Sequence, residues 1–131
     1  MAMTAGIHHL GLTVSRLEAS AAFFIDILGW HEVKRNLDYP AIFVSDGKVM
    51  LTLWQTKSDF PVSFDRHANI GLHHLALQVD TEAELMLVEQ ALIRANIDLE
   101  FKPEFVKEGP AKHLMCFEPS GIRIEFFWQG D

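Results

Sequence analysis

Polar and apolar positions alternate through His8-His9-Leu10-Gly11-Leu12-Thr13-Val14, and the pattern returns as His73-His74-Leu75-Ala76-Leu77-Gln78-Val79. The second copy begins 65 positions (73 − 8) after the first, close to half of the 131 residues. Leu10, Leu12 and Val14 fall on one face; His9, Gly11 and Thr13 fall on the other. In the second copy Leu75, Leu77 and Val79 oppose His74, Ala76 and Gln78. A period of two marks a strand with one dry face and one face turned to solvent or ligand. Two such strands, each aiming one imidazole from the second face, predict a duplicated module with a site shared by the halves.

The surrounding pattern extends the repeat. A strand is predicted over about 7–14. Ser15 then stands as an N-cap, and Glu18 three positions on completes a capping box for free helix N–H groups. The helix, over about 16–28, carries Leu17, Ala21, Phe24 and Leu28 on one stripe, widened by Phe23 and Ile27. Gly29 is placed to end it in a left-handed turn. Strands over about 30–36, 41–45 and 48–55 follow, with turns at Pro40 and Asp46-Gly47. The second half repeats this order. A strand over about 72–79 leads to a helix over about 82–95, capped by Asp80 or Thr81. Thr81 with Glu84 makes a second capping box, Leu85, Val88 and Leu92 form the buried stripe, and Asn96 closes it. Strands over about 99–105, 112–118 and 122–128 complete the half, with Pro119-Ser120-Gly121 turning between the last two.

The order β-α-β-β-β, twice, predicts an α+β fold of two βαβββ modules within one domain over 1–131. Module one covers 7–55 and module two 72–128, with 56–71 as a linker. That linker holds Pro61, several polar residues and no sustained period. Its apolar members, Phe60, Val62 and Phe64, have two readings: a flap over the site or against a partner chain, or a loop covering its own core.

Composition narrows the function without choosing it. Hydrophobic residues make up 49% of the chain, as expected for a folded protein, and the net charge is −7. No basic stripe is available to neutralise phosphates, which argues against nucleic acid. No apolar run approaches the length of a membrane span. The single cysteine, Cys116, cannot pair within the chain, and no basic, apolar leader opens the sequence, so a cytoplasmic location is the expectation.

The chemistry gathers on the alternating faces. On the last strand Ile122, Ile124, Phe126 and Trp128 alternate with Arg123, Glu125 and Phe127. A carboxylate among so many apolar neighbours is costly to bury unless something pairs with it. If the halves fold alike, Glu125 lies beside His74 in its own module, with His9 across the pseudo-twofold. Two imidazoles and one carboxylate on a rigid sheet make a facial triad that binds one divalent ion and leaves positions open. Matching Val49-Met50-Leu51-Thr52 with Ile122-Arg123-Ile124-Glu125 makes Thr52 the counterpart of Glu125, and threonine is a poor metal ligand. His113 shares a face with Met115 and Phe117. It reads as a general acid–base or as a group that orients a ligand, since its ordinary pKa lies near neutrality; the competing reading is a solvated histidine. Met50 and Trp54 flank Thr52 as an apolar substrate wall or as filling. His8 and His73 point the other way on the pattern and read as edge or helix-packing residues. Arg123 reads as an anion contact or an exposed strand arginine, and Cys116 as buried packing.

These stretches resemble the vicinal oxygen chelate superfamily, which includes glyoxalase I, bleomycin-resistance proteins, fosfomycin-resistance transferases, methylmalonyl-CoA epimerases and extradiol dioxygenases. The resemblance is carried by His9 to Val14, by Phe23-Phe24 through Leu28-Gly29-Trp30, by His74 to Asp80, and by Pro119 to Phe126. It implies two βαβββ modules forming a sheet-walled cup around a divalent metal such as Fe2+, Mn2+, Zn2+ or Ni2+, usually in a homodimer. The family's metal positions map to His9, Thr52, His74 and Glu125. Glyoxalase I-type enzymes usually place a carboxylate where Thr52 stands, which weakens a lactoylglutathione lyase reading. The His/His/Glu set resembles that of extradiol dioxygenases and fosfomycin transferases. The acid–base histidine of the extradiol enzymes aligns near Val106, however, and their cavity tyrosine with Met115, leaving His113 as the available stand-in. The expectation is a metal-dependent enzyme, dioxygenase-like or lyase-like, acting on a small substrate with vicinal oxygens. Its substrate-facing residues would be Thr52, Trp54, Met50, Phe43, Met115 and Phe127. The alternative is a bleomycin-resistance type of protein that binds a drug without turnover, using Trp54, Phe43, Met50 and Phe127.

Overall fold

The computed structural model describes residues 1–131 and divides into two compact units, Met1–Pro61 and Val62–Asp131. The first unit runs β1 (Leu10–Val14), α1 (Leu17–Ala22), a π-helical turn over Phe23–Ile27, β2 (His31–Asn36), β3 (Ala41–Ser45) and β4 (Met50–Gln55). Its sheet has the order β1-β4-β3-β2, with β1 parallel to β4 and the other pairs antiparallel. The second unit runs β5 (Leu75–Gln78), α2 (Glu82–Arg94), β6 (Asp98–Phe105), β7 (Lys112–Phe117) and β8 (Arg123–Trp128). Its sheet order, β5-β8-β7-β6, repeats the first, again with one parallel pair. The fold is therefore α+β, with two four-stranded modules and no closed barrel.

The alternation read from the sequence decides which side of each sheet is dry. Leu12, Val14, Ile42, Val44, Leu51 and Leu53 are buried, and their strands β3 and β4 pack against α1. Leu114, Cys116, Ile124 and Phe126 are buried in the second sheet, where α2 brings Leu85 and Leu92 to full burial. Fully burying one such leucine stabilises the fold by about 2 kcal/mol. Burial pushes the Cys116 thiol up to about 12, with Glu118 and Asp98 adding to the rise, so the thiol stays protonated as a core residue.

Two local expectations are corrected. The expected Ser15–Glu18 capping box does not form. The N-cap is Arg16, and the Leu17 N–H is accepted at 3.0 Å by Gln55 Oε1 from the end of β4. Gln55 Nε2 donates back to the Ser15 carbonyl at 3.0 Å, while Glu18 accepts from Arg35. The strands also start later than the pattern suggests, at Leu10 and Leu75, so both histidine pairs lie just outside the ladders. The second capping box forms as expected: Thr81 Oγ1 accepts from the Glu84 N–H, and Glu84 Oε2 accepts from the Thr81 N–H. Gly29 and Asn96 both adopt the left-handed conformation that ends their helices, at φ 78° and 58°. Over 56–71 no strand or helix forms, and Phe60 (88% exposed) and Val62 (95%) do not cover their own core. Phe64 lies against Gly71, leaving no room there for a Cβ.

Candidate metal and substrate site

The pairing registers place the repeat's site positions. Gly11, two residues past His9, pairs with Thr52; Ala76, two residues past His74, pairs with Glu125. Thr52 and Glu125 are thus structural counterparts, as the sequence matching has them. Phe43 and Met115 lie opposite them on β3 and β7, and Ala41 opposite Trp54 corresponds to His113 opposite Phe127.

In the second unit the chemistry converges on Glu125, whose residue is only 8% exposed. His74 Nε2 lies 3.3 Å from Glu125 Oε1, and His113 Nδ1 lies 2.5 Å from Oε2. A carboxylate oxygen accepts, so the His113 Nδ1–H donates. The His113 side chain is 18% exposed and rests between Phe101 and Phe127, with ring centroids at 4.9 and 6.3 Å. That excludes the solvated reading. Its Nε2 faces Glu104 Oε1 at 4.0 Å. Met115 is buried across from Glu125.

Behind His74 runs a chain of charged groups that the strand pattern leaves unseen. His73 Nδ1 is 2.7 Å from His74 Nδ1, and Arg123 Nη1 is 3.4 Å from His73 Nδ1. Arg123 Nε and Nη2 donate to both oxygens of Glu100, at 2.8 and 2.9 Å. Arg66 Nη2 adds an ion pair to Glu100 at 3.7 Å. The Arg123 side chain is 13% exposed, which overturns its reading as an exposed strand arginine. Its hydrogen bonds hold the Glu100 carboxyl below the ordinary carboxylate range. Partial desolvation, then the positive fields of His74 and Arg123, lower the His73 imidazole below the ordinary histidine value. His73 therefore stands exposed ahead of the edge strand β5, against His74 and Arg123, and is not a helix-packing residue. The β5 ladder begins at Leu75, so alternation does not govern the pair.

The first unit carries a different set. His9 is exposed just ahead of β1, with its Nδ1 2.9 Å from His8 Nδ1. Thr52 is 2% exposed, and its hydroxyl accepts from Trp54 Nε1–H at 2.9 Å. A Cβ at Gly11 would stand 3.2 Å from Thr52 Oγ1 and 3.5 Å from Trp54 Nε1, so the glycine makes room for this bond. Trp54 meets Tyr39 edge-on at 5.0 Å and Phe43 at 5.6 Å, and Lys57 Nζ sits 4.1 Å over the Tyr39 ring. Met50 is half-buried at the start of β4. Tyr39 and Lys57 are members of this cluster that the sequence reading missed, since both lie outside the strands.

Whether these donors suit a metal can be judged within the second unit. Nitrogen and oxygen ligands bind a divalent ion at about 2.0–2.2 Å, so neighbouring ligand atoms at a right angle stand roughly 3 Å apart. The 3.3 Å between His74 Nε2 and Glu125 Oε1 fits that spacing. No group of three or more His, Cys, Asp or Glu side chains is gathered as a metal-holding set.

A family model for the glyoxalase/bleomycin resistance protein/dioxygenase superfamily matches residues 6–126. The chain belongs to this superfamily. Superfamily members typically use divalent metals, bind small molecules and often act as dimers. Among curated proteins, a catechol-2,3-dioxygenase of Bacillus subtilis is 28% identical over 94% of this chain. The chain spans 45% of that relative's length, so about half of it. Among solved structures, a glyoxylase/bleomycin resistance protein/dioxygenase domain from Frankia sp. EAN1pec matches with TM-score 0.82 and 23% identity, covering 96% of this chain and 98% of that one. A lactoylglutathione lyase from Agrobacterium tumefaciens matches at TM-score 0.72 and 22% identity, covering 97% and 96%. These two likenesses establish the shared fold. No helix is long and apolar enough to cross a membrane.

Proposed function

We propose that this protein is a divalent-metal-dependent enzyme of the superfamily, dioxygenase-like or lyase-like, acting on a small organic substrate with vicinal oxygens. The observation that carries this reading is the buried Glu125 carboxylate between His74 Nε2 and His113 Nδ1. His74 and Glu125 would be protein ligands, with His9, the counterpart of His74 in the repeat, as the third. The ion, when bound, supplies Lewis-acid polarisation of substrate oxygens or, if it is iron, dioxygen activation. His113 donates its Nδ1–H to Glu125 Oε2 and presents its other nitrogen as the acid–base candidate. Phe101, Met115 and Phe127 line its surroundings with apolar surface, which favours an unsaturated or aromatic substrate body and excludes water from the proton. Thr52 is engaged by Trp54, so its hydroxyl orients an indole. We read the chain as one superfamily domain acting as a cytoplasmic homodimer, with modules over 7–55 and 72–128 joined by 56–71.

Metal analysis of protein purified without chelators tests the assignment. Stoichiometric metal is expected in the wild type, and its loss in the His9→Ala/His74→Ala double variant. Unchanged metal content would reject the ligand set. Turnover screens of the reconstituted protein with catechols, hemithioacetals and fosfomycin then separate the reactions. The drug-binding reading draws on one observation, the Tyr39–Trp54–Phe43 aromatic cluster in an acidic chain, which suits a flat cationic guest. Tight metal-independent binding of such a drug without turnover would favour it.

A further inference from the structure

The two histidine pairs share a contact that ligand chemistry alone does not require. His8 Nδ1 lies 2.9 Å from His9 Nδ1, and His73 Nδ1 lies 2.7 Å from His74 Nδ1. The rings cross at similar angles, 82° and 72°. A hydrogen bond between two Nδ1 atoms needs one protonated and one bare. In the second unit a third group decides which is which. Arg123 Nη1 lies 3.4 Å from His73 Nδ1, and a guanidinium can only donate. Arg123 is held in place through its Nε and Nη2, both bonded to Glu100. Two donors therefore meet one lone pair: His73 Nδ1 is bare, and His74 Nδ1 carries the proton. His74 Nε2, the atom 3.3 Å from Glu125 Oε1, is then left with the lone pair.

We propose that His73, backed by Arg123 and Glu100, is a positioning residue that fixes His74 in its Nδ1–H tautomer and so presents Nε2 as the ligating atom. A ligating histidine generally has its far nitrogen held by a partner; here that partner is the preceding residue. This rests on the reading of His74 as a metal ligand, yet the tautomer is a property of the metal-free chain and is measured there.

The test is 15N NMR of the side chains in metal-free protein at a pH where the rings are neutral, with Zn2+ titration beside it. Wild-type His74 is expected to show a protonated Nδ1 and a bare Nε2. His73→Phe keeps the ring and removes the acceptor. It should shift the tautomer ratio about three- to tenfold toward Nε2–H, with a matching fall in Zn2+ affinity. His73→Asn, which keeps an acceptor oxygen, should restore both. Arg123→Gln should shift the ratio in the same direction as His73→Phe, and serves if His73→Phe does not fold. A wild-type His74 protonated on Nε2 overturns the proposal, as does a folded His73→Phe or Arg123→Gln chain with the wild-type ratio. The ligand reading fails separately: a His74→Ala chain that binds Zn2+ as the wild type does removes the ligand and leaves the tautomer result standing.

Discussion

Glu100 and Glu125 belong to the same sheet and meet opposite surroundings: one is gripped by a guanidinium, the other lies between imidazoles. The Glu100 carboxyl is held below its ordinary range by the two Arg123 bonds. Its stabilisation is therefore complete above the unfolded-chain value of about 4.3 and disappears as pH falls through the folded value. Glu100→Gln is expected to cost about 1 kcal/mol at neutral pH, modest because both partners retain some solvent. Urea unfolding at neutral and acidic pH checks this. The gap between variant and wild type should close in acid, and a constant gap would place the effect elsewhere. At this scale the sequence shows Glu125 beside His74, because alternation and the repeat both lead there. It does not show Glu100 beside Arg123. Glu100 is the extra residue of a bulge between Leu99 and Phe101, and a bulge re-aims a side chain in a way no period of two can register.

Both helices depend on their first turns, and the two solutions differ. In α2 the cap is local, three residues apart in sequence, and therefore legible: Thr81 and Glu84 exchange hydrogen bonds. In α1 the cap comes from Gln55, some forty residues away, and becomes visible only once β1 and β4 pair in parallel and bring Gln55 beside Val14. A local box at Ser15 and Glu18 satisfied the same pattern, but Glu18 turns to Arg35 instead. Gln55→Ala and Thr81→Ala should each cost about 1 kcal/mol, the usual effect of removing an N-cap acceptor. Denaturant unfolding of each variant measures it. A Gln55→Ala chain as stable as the wild type would mean that the Leu17 N–H finds another acceptor at no cost. The π-helical turn at the end of α1 is the other feature hidden from the pattern. Its apolar stripe is compatible with an unbroken helix to Leu28, and the wider turn instead buries Phe23 and Phe24 with rings crossed at 87°.

Across the whole molecule the duplication holds in strand order and central register and diverges in helix form and chemistry. Equivalent registers hold Thr52 in one sheet and Glu125 in the other, Ala41 and His113, Trp54 and Phe127. The first unit has kept an aromatic cluster, and the second holds the carboxylate and the acid–base candidate. This division makes metal binding a stability measurement as well as a functional one. A buried carboxylate facing the bare His74 Nε2 is improved by a cation placed between them, and an ion that binds only the folded chain stabilises it by mass action. At a hundred times its dissociation constant the gain is about 2.7 kcal/mol. In a chain of this size that is on the order of 10 °C in Tm. Thermal unfolding with chelator and with added Zn2+ or Mn2+ should show that rise in the wild type. His9→Ala, His74→Ala and Glu125→Gln should each lose most of it. Glu125→Gln serves as the internal control. Glutamine keeps the volume and an oxygen to accept from the His113 Nδ1–H, so the metal-free variant should melt within about 1 kcal/mol of the metal-free wild type. If Glu125→Gln kept the full metal-induced rise, the ion would be binding elsewhere, and Glu125 would be a structural partner of His113 rather than a ligand.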